Sequence, residues 1–112
     1  MACQRKDALS QQLAVDCKFT PQPPHVGPTT VTFAIADGAK RPIVGAHVTT
    51  EADMSHPGMS PVFADAKEIA PGRYQSTILL RMAGDWVVLL HGSLPNGDKF
   101  ERQFDLRGVR AN

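Results

Sequence analysis

The sequence predicts an all-β protein, a seven-stranded antiparallel immunoglobulin-like β-sandwich. Apolar and polar residues alternate in several short runs, as they do in strands that bury one face. Turns containing Gly and Pro separate these runs at intervals of roughly 8–12 residues, and no segment combines helical spacing with capping residues. The chain has 112 residues, of which 42% are apolar and 21% charged, so one domain with a single core is expected.

The first three predicted strands precede a turn rich in methionine. The first alternates apolar and polar residues as far as Phe19, and a proline-rich connector over 21–28 ends it. The second buries alternate residues on either side of Phe33, and the third is expected to place Val44 and Val48 on its core face. These strands cover residues 13–19, 29–36 and 44–53.

The last four predicted strands follow that turn. The fourth is short and mixed in character, as is typical of a sheet edge, and the fifth alternates from Tyr74 to Leu80. The sixth opens with Trp86, which we expect at the centre of the core, and Pro95-Asn96-Gly97-Asp98 indicates a hairpin before the seventh. These strands cover residues 62–69, 73–82, 86–91 and 100–106.

The N-terminus differs from the rest of the chain. Residues 1–10 are polar and unpatterned and are predicted to be a flexible leader, with the sandwich domain over 11–112. Cys3 followed by polar residues resembles the mature end of a bacterial lipoprotein, which predicts a lipidated Cys3, membrane anchoring and a periplasmic or other extracytoplasmic location. The alternative is a cytosolic protein with an isolated Cys3. Cys17 is expected to be a small core residue, and a Cys3–Cys17 disulfide stays open for an exported protein.

Composition and motifs exclude several classes of function. The net charge is +1, Lys and Arg are not clustered in the sequence, and aromatic residues are not interleaved with them, so neither nucleic acid nor an anionic membrane is predicted as a partner from charge. No run is long enough to span a bilayer. We find no nucleophile elbow, zincin motif or phosphate-binding glycine loop and therefore expect no enzymatic activity. Asp65 and Glu68 are expected to be solvated, and Asp85 to cap a turn.

The segment from Met54 to Met59, Met-Ser-His-Pro-Gly-Met, carries the strongest chemical signal. It combines two thioethers with the imidazole of His56, and Pro57-Gly58 forces the chain to turn. Thioethers are soft, neutral ligands and imidazole is borderline, a set that suits Cu(I) better than magnesium, calcium or manganese. Structural zinc is disfavoured because it usually takes four Cys or His ligands.

Strand order predicts which other ligands approach this turn. Successive connections of an up-and-down sandwich alternate between its two ends. This places Met82 and His25 at the end that carries the turn, and His47 and His91 at the opposite end. The predicted Cu(I) ligands are Met54, His56, Met59, Met82 and His25. The alternatives are that Met82 only packs on Trp86 and that His25 is an ordinary exposed side chain.

Three segments resemble the bacterial YtkA-like (FixH-related) domain. They are Pro-Pro-His-Val-Gly at 23–27, Arg-Pro-Ile-Val-Gly-Ala-His-Val at 41–48, and Pro-Gly-Arg-Tyr at 71–74 followed by Met-Ala-Gly-Asp-Trp at 82–86. The resemblance implies a small immunoglobulin-like sandwich outside the cytoplasm that is associated with copper handling, alone or attached to efflux adaptors and oxidase-assembly factors. It also implies Met54, His56, Met59 and Met82 as copper residues. The sequence departs from dedicated copper carriers because it lacks their dense Met/His repeats.

These observations predict an extracytoplasmic copper-binding protein. It would hold Cu(I) in a Met/His loop site for trafficking, assembly or resistance and pass it to a copper-receiving or efflux protein. The alternative is a non-metal protein-interaction module of an envelope complex, since a methionine-bearing loop also adapts readily to protein partners.

Overall fold

The computed structural model describes residues 13–54 and 60–111, and these residues form eight strands. Alternating runs of apolar and β-branched residues account for most of them, because such residues pack well on a pleated, half-buried surface. The strands are β1 (Ala14–Thr20), β2 (Gly27–Ala36), β3 (His47–Met54), β4 (Val62–Asp65), β5 (Lys67–Ala70), β6 (Arg73–Leu80), β7 (Gly84–Ser93) and β8 (Lys99–Val109).

The strands form two four-stranded antiparallel sheets. The first sheet has the order β1-β2-β6-β5 and the second sheet the order β4-β3-β7-β8. The turn between β7 and β8 is the predicted hairpin, closed by backbone hydrogen bonds from Leu94 N–H to Asp98 O and from Gly97 N–H to Leu94 O. This arrangement confirms the prediction of an all-β, antiparallel, immunoglobulin-like sandwich.

The core lies between the sheets and follows the alternation of the sequence. Along β6, each second residue from Tyr74 to Leu80 is buried and the residues between them are exposed. Trp86 is only 2% exposed and lies in the core, as predicted, and Phe33 stacks on Tyr74 with ring centroids 5.5 Å apart. Burial of these large side chains is the main favourable contribution to folding.

The predicted fourth strand, 62–69, is two strands in the structure. Val62–Asp65 pairs with β3 in the second sheet, whereas Lys67–Ala70 pairs with β6 in the first. The chain crosses between the sheets at Ala66, whose N–H donates to Val48 O at 2.9 Å. Seven strands was therefore the wrong number, because one run of alternating residues contributes an edge to both sheets.

Val44 was predicted to face the core and is instead 54% exposed. It precedes β3, which begins only at His47. Gly45 has φ +79° and donates its N–H to Glu68 Oε1 at 3.1 Å, so the backbone bends here before the strand starts. Glu68 also accepts the N–H of Gly72 at 3.1 Å, so this exposed carboxylate has a structural role in holding two loops.

The described residues contain no helix that could cross a membrane.

Candidate metal centre

One end of the sandwich gathers the ligand candidates that lie in the described residues. Met54, the last residue of β3, is opposite Trp86 near the start of β7. In the first sheet Gly27, at the start of β2, is opposite Leu80, at the end of β6. The end of β3, the end of β6 and the start of β2 therefore meet at one end of the molecule, which we call the Met54 pole.

Met54 lies across the backbone of β7. Its Cε is 3.0 Å from the position that a Cβ on Gly84 would occupy, and Gly84 has φ +133°. A side chain at Gly84 would have to adopt this strained conformation and would press against the thioether. Glycine at this position leaves room for the half-buried Met54 side chain, and Gly84 is two residues from Met82 in the sequence.

Met82 occupies the connection between β6 and β7. Its carbonyl accepts a hydrogen bond from Trp86 Nε1–H at 3.0 Å, which fixes the backbone of the connection against the core. The residue itself is 41% exposed. Met82 thus contacts Trp86 through this backbone hydrogen bond, and, unlike a core methionine, the residue is exposed.

His25 lies where the proline-rich connector meets the end of β8. It forms an isolated parallel bridge with Arg110, and Val26 N–H donates to Arg110 O at 2.8 Å. Its Nδ1 is buried and has no hydrogen-bond partner among the described residues. A buried nitrogen without a partner is unusual in a folded protein. His25 is therefore a half-buried residue held by the backbone on both sides, and not an ordinary exposed side chain.

The remaining predicted ligands, His56 and Met59, lie outside the described residues, as do Cys3 and the leader 1–10. Within residues 13–54 and 60–111, no three His, Cys, Asp or Glu side chains are grouped so that they could hold a metal ion. These four residue types supply nitrogen, oxygen and thiolate ligands. The thioethers of Met54 and Met82 are a different type of ligand, and both belong to the Met54 pole.

Cys17 carries a free thiol on the core-facing side of β1. Burial raises the pKa of this thiol to about 12, so it stays protonated at neutral pH. Because the thiolate is the form that binds metals, this environment does not favour Cys17 as a ligand. It packs against the core, as expected from its place in the alternation.

The other two histidines lie away from the Met54 pole. His47 is exposed at the first position of β3 and is opposite Ser93. His91 lies on the outer face of the second sheet, where Nε2 is 2.8 Å from Glu51 Oε1 and Nδ1 is 2.8 Å from Glu101 Oε2. We call Glu51, His91, Glu101 and the adjacent Asp53 the outer-sheet network.

The groups of this network change one another's proton affinity. Burial and the neighbouring Glu51 raise the pKa of Asp53 to about 6. The hydrogen bond from Asp53, together with His91, lowers the pKa of Glu51. For His91, burial acts to lower the pKa, but the hydrogen bonds and charges of Glu51 and Glu101 outweigh it and raise the pKa.

The sequence alone did not predict this network. Its residues come from three strands, and only the register reveals that His91 is opposite Glu101 and beside the row that holds Glu51. The one signal available was the spacing of Glu51 and Asp53, which places both carboxyl groups on the same face of a strand. The sequence also did not predict the bridge between His25 and Arg110, because these two residues are far apart along the chain.

The solved structures that resemble this chain include murine CRIg and a DUF4785 family protein from Legionella pneumophila. Murine CRIg is 12% identical, with 88% of this chain and 98% of that chain covered at a TM-score of 0.47. A DUF4785 family protein from Legionella pneumophila is 8% identical, with 88% of this chain and 28% of that chain covered at a TM-score of 0.53. Neither likeness carries information about the function of this chain.

No curated protein matches the sequence. The YtkA-like family model does match, over residues 7–91. That match covers most of the chain and includes β1 to β6, the sequence segment 54–59 and much of β7. The chain therefore belongs to the YtkA-like family.

Proposed function

We propose that this protein is a non-catalytic copper-binding protein that holds Cu(I) at the Met54 pole. The observation that carries the proposal is the register, which brings the end of β3 with Met54, the connection with Met82, and His25 to one end of the sandwich. His56 and Met59 follow Met54 by two and five residues in the sequence. The proposed ligand set is Met54, His56, Met59, Met82 and His25.

The chemistry of the set favours a soft monovalent ion. Thioethers bind without losing a proton, so the sulfur contribution to affinity is independent of pH. An imidazole ligand must be neutral, so affinity falls in acid only as far as a histidine takes part. Exposure of Met82 supports transfer, because an incoming ligand from a copper-receiving or efflux protein can approach a residue that is 41% exposed.

A Cu(I) titration against a competing chelator tests the proposal. Replacing Met54 and Met82 together by leucine removes both sulfurs and nearly conserves side-chain volume, so the fold should persist. We expect the affinity for Cu(I) to fall by about a hundredfold, since two ligands are lost and each is taken to contribute on the order of 1.4 kcal/mol, a factor of ten. Ag(I) should compete with Cu(I), and Zn(II) should not.

The matched control is His47→Gln, which removes an imidazole at the opposite end of β3. This variant should bind Cu(I) like the wild type, whereas His56→Gln should bind more weakly. Equal competition by the wild type and the Met54→Leu/Met82→Leu variant would refute the copper site. In the alternative, an interaction module, the methionine methyl signals in NMR would not move when Cu(I) is added.

We propose an extracytoplasmic location, with Cys3 as a lipid-anchoring residue. The resemblance of residues 1–7 to a lipoprotein terminus supports it. Mass spectrometry of the protein extracted from the envelope of its native host is the test. A Cys3 that carries diacylglyceryl lipid is expected, and an unmodified Cys3 in the cytosolic fraction would contradict the proposal.

A further inference from the structure

The outer face of the first sheet is basic. Strand alternation and register place Lys18, Gln75 and Lys67 in one row across the sheet, and Asp16 and Arg73 in the next. Arg81 continues the outward-facing set of β6 just past the end of the strand and is exposed. Among the described residues this face carries four cationic side chains and one carboxylate. The cationic residues are Lys18, Lys67, Arg73 and Arg81.

Two of these cations converge on one place. Lys18, on the edge strand β1, and Arg73, on β6, border an open depression of about 180 Å³. The small side chains of Thr32 and Ala34 on β2 lie between them, so nothing bulky separates the two cations. Asp16 borders the same depression, and its single negative charge only partly offsets the two positive charges of Lys18 and Arg73.

The outer face of the second sheet has the opposite character. Its outward positions hold six carboxyl groups, which outnumber the cations beside them, and Arg107 is already paired with Asp105 at 3.4 Å. The carboxyl groups belong to Glu51, Asp53, Asp65, Asp85, Glu101 and Asp105. Folding thus converts a chain with a net charge of +1 and evenly spread charges into a sandwich with one basic and one acidic face.

We propose that the basic face of the first sheet lies on an anionic phospholipid bilayer. Each Lys or Arg near such a surface strengthens binding about fivefold. Leu79 is 44% exposed on the same face, two residues from Arg81, and supplies an aliphatic side chain for the headgroup region. The described residues of this face include no aromatic side chain on which nucleic-acid bases could stack. The acidic face is repelled by the bilayer and turns away, which fixes the orientation.

Vesicle sedimentation of the full chain tests the proposal at low ionic strength. The probes are vesicles of phosphatidylcholine alone and of phosphatidylcholine with about one-third phosphatidylglycerol. We expect binding to the anionic vesicles that exceeds binding to the neutral ones by on the order of a hundredfold, and that weakens when the salt concentration is raised.

Two charge-matched variants decide whether the face, and not the net charge, is responsible. Lys18→Glu lies on edge strand β1 of the basic face, and Lys99→Glu on edge strand β8 of the acidic face; both residues are exposed. Both substitutions change the net charge by the same amount. Lys18→Glu should weaken binding to anionic vesicles by at least about tenfold, since it reverses one cation, and Lys99→Glu should weaken it far less. Equal effects of the two variants would overturn the proposal, as would binding of Lys18→Glu like the wild type. Binding to inorganic phosphate or DNA without binding to anionic vesicles would also overturn it.

Discussion

Tyr74 shows how one side chain fixes a loop at the residue scale. Its hydroxyl donates to Ile43 O at 2.6 Å and accepts the N–H of Ala46 at 3.0 Å. The ring is buried and stacks on Phe33. A side chain near the start of β6 therefore satisfies both a carbonyl and an N–H of the segment that leads into β3, and it positions the strand that ends at Met54.

Tyr74→Phe is expected to destabilise the protein by about 1–3 kcal/mol. The substitution keeps the ring but leaves the partly buried carbonyl of Ile43 and N–H of Ala46 without their partner, and such groups cost that much to leave unpaired. Urea unfolding measures the change. Thr77→Val, at an exposed outward position of the same strand, is the control and should change stability by less than about 0.5 kcal/mol. A stability loss in Tyr74→Phe no larger than that of the control would contradict this account.

The outer-sheet network acts at the scale of elements, because it joins β3, β7 and β8 on the face away from the core. His91 bonds to a carboxylate on each neighbouring strand. The side chain of His91 is 37% exposed and that of Glu101 is 62% exposed, so solvent screens these ion pairs and their separate contributions are small. What the network imposes on the protein is a dependence of stability on pH.

Asp53 and His91 both make the folded state less stable as pH rises. The pKa of Asp53 is raised from 3.8 to about 6, so its contribution is full below pH 3.8 and is lost by about pH 6. Because the pKa of His91 is raised, its contribution to the free energy of unfolding is full below its ordinary pKa of 6.5 and is lost as the pH rises above that value. The lowered pKa of Glu51 acts in the opposite sense, and its contribution is lost in stronger acid.

Asp53→Asn is expected to remove the decline in stability between about pH 4 and pH 6, because the amide cannot ionise. Melting temperatures measured across this range test it. The control is Asp65→Asn, which makes the same change of charge on neighbouring strand β4. If the melting temperature of Asp53→Asn fell between pH 4 and pH 6 as steeply as that of the wild type, Asp53 would not be the group whose ionisation causes the decline.

The whole molecule has one core, to which both sheets contribute. Trp86 and Val88 from the second sheet and Phe33 and Ile78 from the first belong to the same buried cluster. The strand pairs join segments that are far apart in sequence, such as Gly27 with Leu80, so neither sheet can form from local contacts alone.

A single cooperative unfolding transition is the expected result. Fluorescence of Trp86, the only tryptophan, reports on packing at the core, and far-UV circular dichroism reports on both sheets. The two signals should give the same urea midpoint, since the sheets share their buried surface. Two midpoints that differ beyond experimental error would mean that one sheet unfolds before the other.

The sequence predicted most strands because alternation carries a strong signal where one face is buried, as in β6 from Tyr74 to Leu80. It missed the division between β4 and β5, because alternation continues through Ala66 and does not reveal which neighbour a strand joins. Val44 was misplaced because its apolar character fitted the pattern, whereas the bend at Gly45 depends on Glu68, a distant residue.

For the candidate site, counting strand directions was sufficient to assign Met54, Met82 and His25 to one end, since that assignment needs only the order of the turns. The buried Nδ1 of His25 and the outer-sheet network were beyond such reasoning. Both depend on which strands are neighbours, and pairings such as that of His91 with Glu101 are set by the whole fold.

The crossing at Ala66 also affects how the protein behaves in a crowded solution. A long, straight edge strand exposes unpaired backbone N–H and C=O groups, and a strand of another molecule can pair with them and begin aggregation. Here the chain divides what would be one such border into two pieces of four residues, β4 and β5, on separate layers. Neither strand is long enough to form many backbone hydrogen bonds with a strand of another molecule, so this side of the molecule resists edge-to-edge assembly.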